Sequence, residues 1–318
     1  MTDDILISVD RNVGRIRLNR PKAIHALTCD MCDAMSKVLL TWRDDPSIQI
    51  VVIDHAEGRG FCAGGDVVML ARSGAEDAAD AKAFFFSEYR LNHLLFTYPK
   101  PTVAIMDGIT MGGGWYLSRL PGRVGQFMAL TGARLDASEC VYLGLATNYV
   151  EQNALEELHE RILKAPSRLK GTLGAVSSTP PEARIEQNFG HITRLFASDE
   201  LEEVIAALEA EETDWAQTEL QTLRSKSPLS CKVSLRLLAE GADRASFAEE
   251  MRAEYALAGR IVRTHDFREG VRALLIDKDN SPHWDPPVPE LVDDEMLDIL
   301  FAPLPPNEQW TPFPETGE

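Results

Sequence analysis

The chain has 318 residues, of which 44% are hydrophobic and 26% are charged. This balance is typical of a globular protein with one large core or two modest ones. No apolar run approaches the roughly 18 residues that a membrane-spanning helix needs. The net charge of −18 disfavours nucleic acid and anionic membrane surfaces as partners, so an anionic ligand would need a local basic patch.

The first half of the chain alternates strand and helix signals. It begins with an acidic segment, MTDDILISVD, which has neither the basic nor the apolar region of a secretory signal, so we expect a cytoplasmic protein. The alternation indicates an α/β fold with a largely parallel sheet. Strands are predicted from β-branched and apolar runs, and helices from apolar spacing. The strands are residues 5–9, 13–18, 50–53 and 103–106, the last two buried, and the helices are residues 29–43, 77–97 and one beginning near Val67.

The second half is almost entirely helical in pattern. A capping-box sequence begins a helix at Asp136, and a Pro/Gly/Ser-rich stretch over residues 165–184 predicts a linker. We therefore divide the chain into a core at residues 1–164, a helical region at residues 165–287 and a proline-rich, loosely structured tail at residues 288–318. Further helices are predicted at residues 199–211, 213–226, 229–241, 246–263 and 266–276.

The cysteines and histidines give no sign of a metal site. Cys29 and Cys32 form one C-x-x-C motif within a predicted helix, but no second pair or histidine follows at zinc-ligand spacing. A structural role is therefore favoured over a redox or zinc site. The seven histidines include no H-x-x-x-H pair, and no G-x-S-x-G nucleophile motif is present.

Two glycine-rich turns carry the strongest chemical signal. Residues 60–66, GFCAGGD, follow one predicted buried strand and precede a helix, and residues 112–114, GGG, follow another. Glycine allows a tight turn and the close approach of a ligand. Backbone N–H groups at such a turn can hold a developing negative charge, so two turns that converge could form an oxyanion hole. Each turn alone would also fit an ordinary strand-to-helix connection.

These turns and several neighbouring segments resemble the crotonase superfamily, and the matches run in order over residues 5–287. The resemblance implies an α/β fold with a crotonase-like ββα spiral core and a helical C-terminal region. It also implies an acyl-CoA ligand whose thioester oxygen is held by the N–H groups of Gly65 and Gly113. Coenzyme A would be part of the substrate, so no separate cofactor is expected. The core segments are RPKA at residues 20–23, GFCAGGD at 60–66, YPKP at 98–101 and GITMGGG at 108–114.

Further segments are similar to the 3-hydroxyisobutyryl-CoA hydrolase branch of that superfamily. Within them Glu88 matches a position that lines the acyl pocket, and its aromatic neighbours should raise its pKa. The resemblance implies substrate contacts from Lys22, Ala23, Ala63, Gly64, Asp66 and Gly112, with Arg20 and Lys100 near the mouth of the coenzyme A site. Asp66 also fits a helix N-cap. The segments are FFFSEYRLN at residues 84–92, LSRLPG at 117–122, LTG at 130–132, SPLSCK at 227–232, DFREGVRA at 266–273 and IDKD at 276–279.

The chain departs from the hydrolase pattern after Gly114. Relatives continue through a helix, a strand and a loop of about thirty residues, the size of one supersecondary unit. Here Gly114 leads directly into the helix that begins at Trp115. The missing stretch carries the family's catalytic Glu and Asp, which leaves Glu88 as the main candidate carboxyl, with Asp66 and Asp107 as weaker ones. His25 replaces a frequent Asn. It could face a ligand, but a loop histidine with its hydrogen bonds satisfied within the protein is favoured.

Three functions remain open at this point. The first is an acyl-CoA thioester hydrolase, acting on 3-hydroxyisobutyryl-CoA in valine degradation. The second is a catalytically inactive acyl-CoA-binding protein, which the missing segment motivates. The third is an enoyl-CoA hydratase or isomerase, which is disfavoured because Tyr116 stands where a hydratase has one of its acids. The resemblance also implies a possible homo-oligomer.

Overall fold

The computed structural model describes residues 2–110 and 113–314. Six strands and fifteen α-helices lie within these ranges. The strands are β1 (Ile5–Asp10), β2 (Val13–Leu18), β3 (Ile50–His55), β4 (Gly60–Cys62), β5 (Thr102–Ala104) and β6 (Ile109–Thr110). The helices of the first half are α1 (Cys29–Asp44), α2 (Val67–Gly74), α3 (Ala79–Phe96), α4 (Gly114–Leu117), α5 (Val124–Thr131), α6 (Ala137–Tyr142) and α7 (Leu155–Lys164). Those that follow are α8 (Leu169–Val176), α9 (Arg184–Leu195), α10 (Leu201–Glu209), α11 (Asp214–Arg224), α12 (Pro228–Asp243), α13 (Phe247–Ile261), α14 (His265–Val271) and α15 (Asp294–Phe301).

The main sheet has the strand order β1-β2-β3-β5. β1 and β2 form an antiparallel hairpin, whereas β2, β3 and β5 run parallel, so the predicted, largely parallel sheet is confirmed. β3 is almost wholly buried because it lies between two strands and is covered on both faces. The strand predicted at residues 103–106 is present as β5, but the prediction that it is buried is wrong: β5 ends the sheet, and both Thr102 and Ala104 are exposed.

A second, two-stranded sheet positions the glycine turns. β4 and β6 pair in parallel, with Gly60 opposite Ile109 and Cys62 opposite Thr110. Because the carboxyl ends of parallel strands lie at the same edge, the segments that follow both strands leave the sheet on the same side.

Helices cover the two faces of the main sheet. On one face α1 and α3 pack over a core that includes Met31, Leu39 and Phe84. α1 begins where Thr28 accepts a hydrogen bond from the Met31 N–H, and its buried residues recur at three- and four-residue spacing. On the other face α7 and α8 contribute Ile162 and Val176. The α1 and α3 helices predicted at residues 29–43 and 77–97 are thus confirmed.

The C-terminal half forms a helical layer around a core of its own. The capping box at Asp136 is confirmed: the side chain accepts from the Glu139 N–H while Glu139 accepts from the Asp136 N–H. One prediction needs correction: the linker or long loop expected at residues 165–184 contains α8. Two further helices, α7 and α9, were not predicted. Short helices beside proline and glycine are easily misassigned, because those residues usually mark loops.

The proline-rich tail, described as far as residue 314, packs against the rest of the protein, contrary to the expectation of a loose segment. It contains α15, and Trp310 is completely buried against α3 and α13. The Trp310 indole N–H donates to the carbonyl oxygen of Phe86 at 3.2 Å.

The predicted domain boundaries stay predictions, although Val176, beyond residue 164, packs in the same cluster as Ile50 of the sheet.

Candidate functional site

The first glycine turn is fixed to the chain segment before α1. The Leu27 N–H donates to the Gly64 carbonyl at 2.7 Å, and the Asp66 N–H donates to the Leu27 carbonyl at 3.1 Å. Leu27 and Gly65 thus form a parallel β-bridge. In this geometry the N–H of Gly65, which lies between the two bonded residues, points away from Leu27. Within the described residues it donates to no backbone or side-chain acceptor. Gly64 has a φ of +82°, a conformation that favours glycine.

The second glycine turn lies at the start of α4. Gly113 is exposed and extended, with φ −119° and ψ 179°, and precedes the first helical residue, Gly114. Gly112, a predicted substrate contact, lies outside the described residues. Gly65 and Gly113 stand at matching positions, each three residues beyond the paired residues Cys62 and Thr110. Parallel pairing of β4 and β6 therefore starts both turns from the same edge of one small sheet. The oxyanion hole itself stays a prediction.

Glu88 lies on α3 beside the first turn. It is partly buried, and burial raises the pKa of its carboxyl to about 7. The predicted direction of the pKa shift is confirmed, with burial as its cause. The pKa values of the Cys32 and Cys62 thiols are raised mainly by burial and further by the negative charge of Glu88, which places this carboxyl near the GFCAGGD turn.

An aromatic ring of the same helix supports the turn directly. A Cβ atom added to Gly65 would lie only 2.7 Å from Cε1 of Phe84, which is fully buried. Glycine is therefore required here by the close approach of the ring to the backbone. The packing links the position of the Gly65 amide to the helix that carries Glu88.

Asp66 occupies a structural position. Its carboxylate accepts from the Met69 N–H at 3.2 Å, as the N-cap of α2, and forms an ion pair with Arg20 at 2.8 Å. Burial opposes ionisation, but these hydrogen bonds hold the pKa of Asp66 below its ordinary value. The N-cap interpretation is confirmed, and the substrate contact implied for Asp66 stays a prediction.

Two of the three basic residues expected at the coenzyme A mouth are already bonded within the protein. Lys100 donates to the carbonyl oxygens of Trp42 and Asp45 at the end of α1, and Arg20 pairs with Asp66. Lys22 is exposed in the short 3₁₀ turn Pro21–Ala23, where it is available to an anionic ligand. That turn also holds Ala23, whose carbonyl accepts from the Ala26 N–H, so the backbone there is fixed.

The neighbouring loop is held by a buried histidine and by main-chain bonds. His25 is fully buried: its Nδ1 accepts from the Arg20 N–H at 2.9 Å, and its Nε2 lies 2.8 Å from the Glu57 carbonyl oxygen. Burial lowers its pKa, so the structural role favoured for His25 is confirmed. The Ala63 N–H donates to the Ile24 carbonyl at 2.9 Å, which joins this loop to the glycine turn.

Two further carboxyl groups reach the second turn from α13, and the sequence did not single them out. A Cβ atom on Gly114 would lie 2.7 Å from Oε1 of Glu254 and 3.3 Å from Oε1 of Glu250. Glu250 is fully buried and pairs with Arg244 at 2.9 Å. Glutamates four residues apart on a helix share a face, but that spacing is also common on solvated helices, so the signal was weak.

Tyr116 and Asp107 flank the second turn in the sequence. Tyr116 donates its hydroxyl proton to the Leu143 carbonyl at 3.2 Å, and the Asp107 N–H donates to the Ile105 carbonyl at 3.1 Å. A catalytic role for the Asp107 carboxyl stays a prediction. Over residues 2–110 and 113–314, no cluster of three or more His, Cys, Asp or Glu residues could hold a metal ion. In the same ranges no helix combines the length and the apolar character required to traverse a lipid bilayer.

Comparison with known proteins identifies the family. The enoyl-CoA hydratase/isomerase family matches residues 13–115 and 112–301. A mitochondrial 3-hydroxyisobutyryl-CoA hydrolase from Gallus gallus is 34% identical over 96% of this chain and 90% of its own length. The mitochondrial 3-hydroxyisobutyryl-CoA hydrolase-like protein 1 of Arabidopsis thaliana is 35% identical over 92% of this chain and 84% of its own. The two matched ranges join near Gly114, the position at which a segment is predicted to be missing. That missing segment stays a prediction.

Solved structures agree with this assignment. A carnitinyl-CoA dehydratase from Mycobacterium thermoresistibile superimposes with a TM-score of 0.93 at 32% identity, covering 99% of this chain and 100% of that one. An enoyl-CoA hydratase from Rhodobacter sphaeroides gives a TM-score of 0.88 at 34% identity, covering 97% and 100%. The expected crotonase fold is therefore confirmed, and this chain belongs to the enoyl-CoA hydratase/isomerase family.

Proposed function

We propose that this chain is an acyl-CoA thioester hydrolase that converts 3-hydroxyisobutyryl-CoA to 3-hydroxyisobutyrate and coenzyme A. The observation that carries the proposal is the similarity, over more than nine-tenths of the chain, to hydrolases of that name. The site supports it, because two glycine turns leave the same sheet edge beside a carboxyl group with a raised pKa.

The reaction would use the amides of the two turns and the carboxyl of Glu88. The N–H groups of Gly65 and Gly113 would hold the thioester oxygen as it becomes negative during attack by water. Glu88, with its pKa raised to about 7, would take the proton from that water when ionised. Lys22 would meet the phosphates of coenzyme A at the surface.

The test is release of free thiol from 3-hydroxyisobutyryl-CoA by the wild-type protein and by the Glu88→Gln variant. We expect Glu88→Gln to lower kcat by at least about tenfold, because a neutral amide cannot accept the proton. The wild-type rate should increase with pH through about 7 as Glu88 ionises. Asp80→Asn, at an acidic residue in the first turn of the same helix, is the matched control and should retain activity.

The same preparation distinguishes the alternatives. Calorimetric binding of a non-hydrolysable acyl-CoA without thiol release would instead favour an inactive acyl-CoA-binding protein. Loss of absorbance of a crotonyl thioester would favour a hydratase. An unchanged rate in Glu88→Gln would remove Glu88 from the mechanism while leaving the substrate assignment intact.

The biological setting is also a proposal. Hydrolysis of this thioester would place the protein in valine degradation. We propose that it acts in the cytoplasm, whereas the relatives compared above are named as mitochondrial. A homo-oligomer is compatible with the family and is tested by light scattering.

A further inference from the structure

Glu254 on α13 extends the candidate site with a second carboxyl group. It lies opposite Glu88 and Tyr89 of α3, beside Glu250 of its own helix. Its Oε1 atom lies against the Cα of Gly114, so close that a Cβ atom there would be 2.7 Å away. A carboxyl oxygen thus reaches the same glycine turn that is predicted to hold the thioester.

The hydrogen bonding around this carboxyl is incomplete. Oε1 of Glu254 and Oε1 of Glu250 are both buried, and neither receives a hydrogen bond from a described residue. Glu250 is 0% exposed, and its other oxygen accepts from Arg244 at 2.9 Å. A buried oxygen that accepts no hydrogen bond costs folding free energy. These two oxygens, both directed at Gly114, can therefore gain stability by binding a proton or by accepting a hydrogen bond from a ligand.

The charges at this position do not balance. Three glutamates, at positions 88, 250 and 254, face one another across α3 and α13, and Arg244 is the cation that pairs with one of them. Like charges held close together cannot all ionise, so one carboxyl group keeps its proton. Burial raises the pKa of Glu254 first, the charges of Glu250 and Glu88 add to the rise, and Arg244 opposes it. The retained proton therefore belongs mainly to Glu254.

We propose that Glu254 is a catalytic residue of this site, a general acid that supplies the proton to the departing coenzyme A sulfur. Glu250, held by Arg244, is the positioning residue that keeps Glu254 in place from the adjacent turn of the helix. The inference rests on the proposed hydrolase function. It assigns to α13 a carboxyl group that would replace the catalytic acids of the segment predicted to be missing after Gly114.

The step balances in atoms and electrons. Ionised Glu88 takes one proton from water while the water oxygen bonds to the thioester carbon, and the carbonyl electron pair moves to the oxygen held by the glycine amides. When that pair returns, the carbon–sulfur bond breaks, and the sulfur takes the proton of Glu254. The products are the carboxylic acid and the free thiol. Glu88 then loses its proton to solvent, and Glu254 regains one from it.

The experiment compares Glu254→Gln, Glu88→Gln and the control Glu249→Gln, which changes an exposed glutamate of the same helix. We expect Glu254→Gln to lower kcat for 3-hydroxyisobutyryl-CoA by at least about tenfold with KM changed less than about threefold. The pH profile of the wild type should be bell-shaped. Glu254→Gln should lose the basic limb, and Glu88→Gln the acidic limb, whereas Glu249→Gln should match the wild type.

A second readout does not depend on turnover. At neutral pH the infrared spectrum of Glu88→Gln, in which Glu88 no longer contributes, should show the C=O band of a protonated carboxyl. This band should disappear in the double variant Glu88→Gln/Glu254→Gln but persist in Glu88→Gln/Glu249→Gln. Either an unchanged kcat and basic limb in a folded Glu254→Gln variant, or a missing carboxyl band in Glu88→Gln, would overturn the role of Glu254. A wild type that releases no thiol, although Glu88→Gln shows the band, would overturn the hydrolase function, and with it the acid role.

Discussion

At the residue scale, Gly65 and Gly113 look equivalent in the sequence but have different surroundings. Both were predicted from the resemblance as backbone donors. The side chains around them could not be predicted, because they depend on which helices pack against each turn. The ring of Phe84 supports Gly65, whereas an added Cβ on Gly113 would meet no atom within 4 Å.

This difference predicts opposite outcomes for two alanine substitutions that both keep the N–H group. Gly65→Ala should displace the buried Phe84 ring, lower the free energy of unfolding by about 1–3 kcal/mol and reduce thiol release. Gly113→Ala, the matched control, should unfold within about 0.5 kcal/mol of the wild type. Urea denaturation monitored by circular dichroism measures both, and equal stability of the two variants would contradict the packing argument.

Other residue roles show where sequence reasoning reaches its limit. Glu88 could be identified because it lies within a matched segment, and His25 because a loop histidine is usually bonded within the protein. Lys100 was placed near the mouth of the coenzyme A site, and the sequence did not reveal that its side chain donates to carbonyl groups at the end of α1. Glu254 was not identified, since its closeness to Gly114 depends on the packing of α13 against α3 and α4.

At the scale of elements, regular apolar patterns gave reliable predictions and proline-rich segments did not. β3 and α1 followed from their buried runs and spacing. The tail was misjudged because prolines at eight positions after residue 283 suggested disorder, although a short helix and a tryptophan between them supply enough apolar surface to dock. The composition of a segment indicates its local conformational preference. Whether the segment packs onto the protein depends also on the apolar surface available to it.

The docked tail should stabilise α3, the helix that carries Glu88. Trp310→Ala removes a completely buried ring and its hydrogen bond to the Phe86 carbonyl, so it should cost about 3–5 kcal/mol of unfolding free energy. Leu291→Ala, in the same tail but 57% exposed, should cost less than about 0.5 kcal/mol. Thermal unfolding of both variants checks this, and a Trp310→Ala variant as stable as the wild type would show that the tail does not support α3.

At the scale of the whole molecule, the alternation of strands and helices predicted the fold class but not the pairing of strands. The parallel pairing of β4 with β6 brings two distant turns to one edge, and strands of three and two residues leave too little pattern to detect it. The expectation that both turns contribute to one site therefore came from the family resemblance and not from local sequence patterns.

The net charge of −18 predicts an unusual salt dependence. Because the molecule should repel the phosphates of coenzyme A, screening by salt should favour binding. We expect kcat/KM for the acyl-CoA to increase by about two- to tenfold between low and physiological ionic strength. The same acyl group on pantetheine, which lacks those phosphates, is the control and should show little change. A decrease with salt would mean that a local basic patch around Lys22 outweighs the overall charge.

The position of β5 at the end of the main sheet has a consequence for self-association. In the described part of the chain its outer backbone groups face no neighbouring strand, and such an edge can recruit an extended segment of another molecule. Here the edge is three residues long and follows Pro101, which cannot donate a backbone hydrogen bond. So brief a template offers an intruding strand very few hydrogen bonds, so this edge is a poor site for the addition of a strand from another molecule.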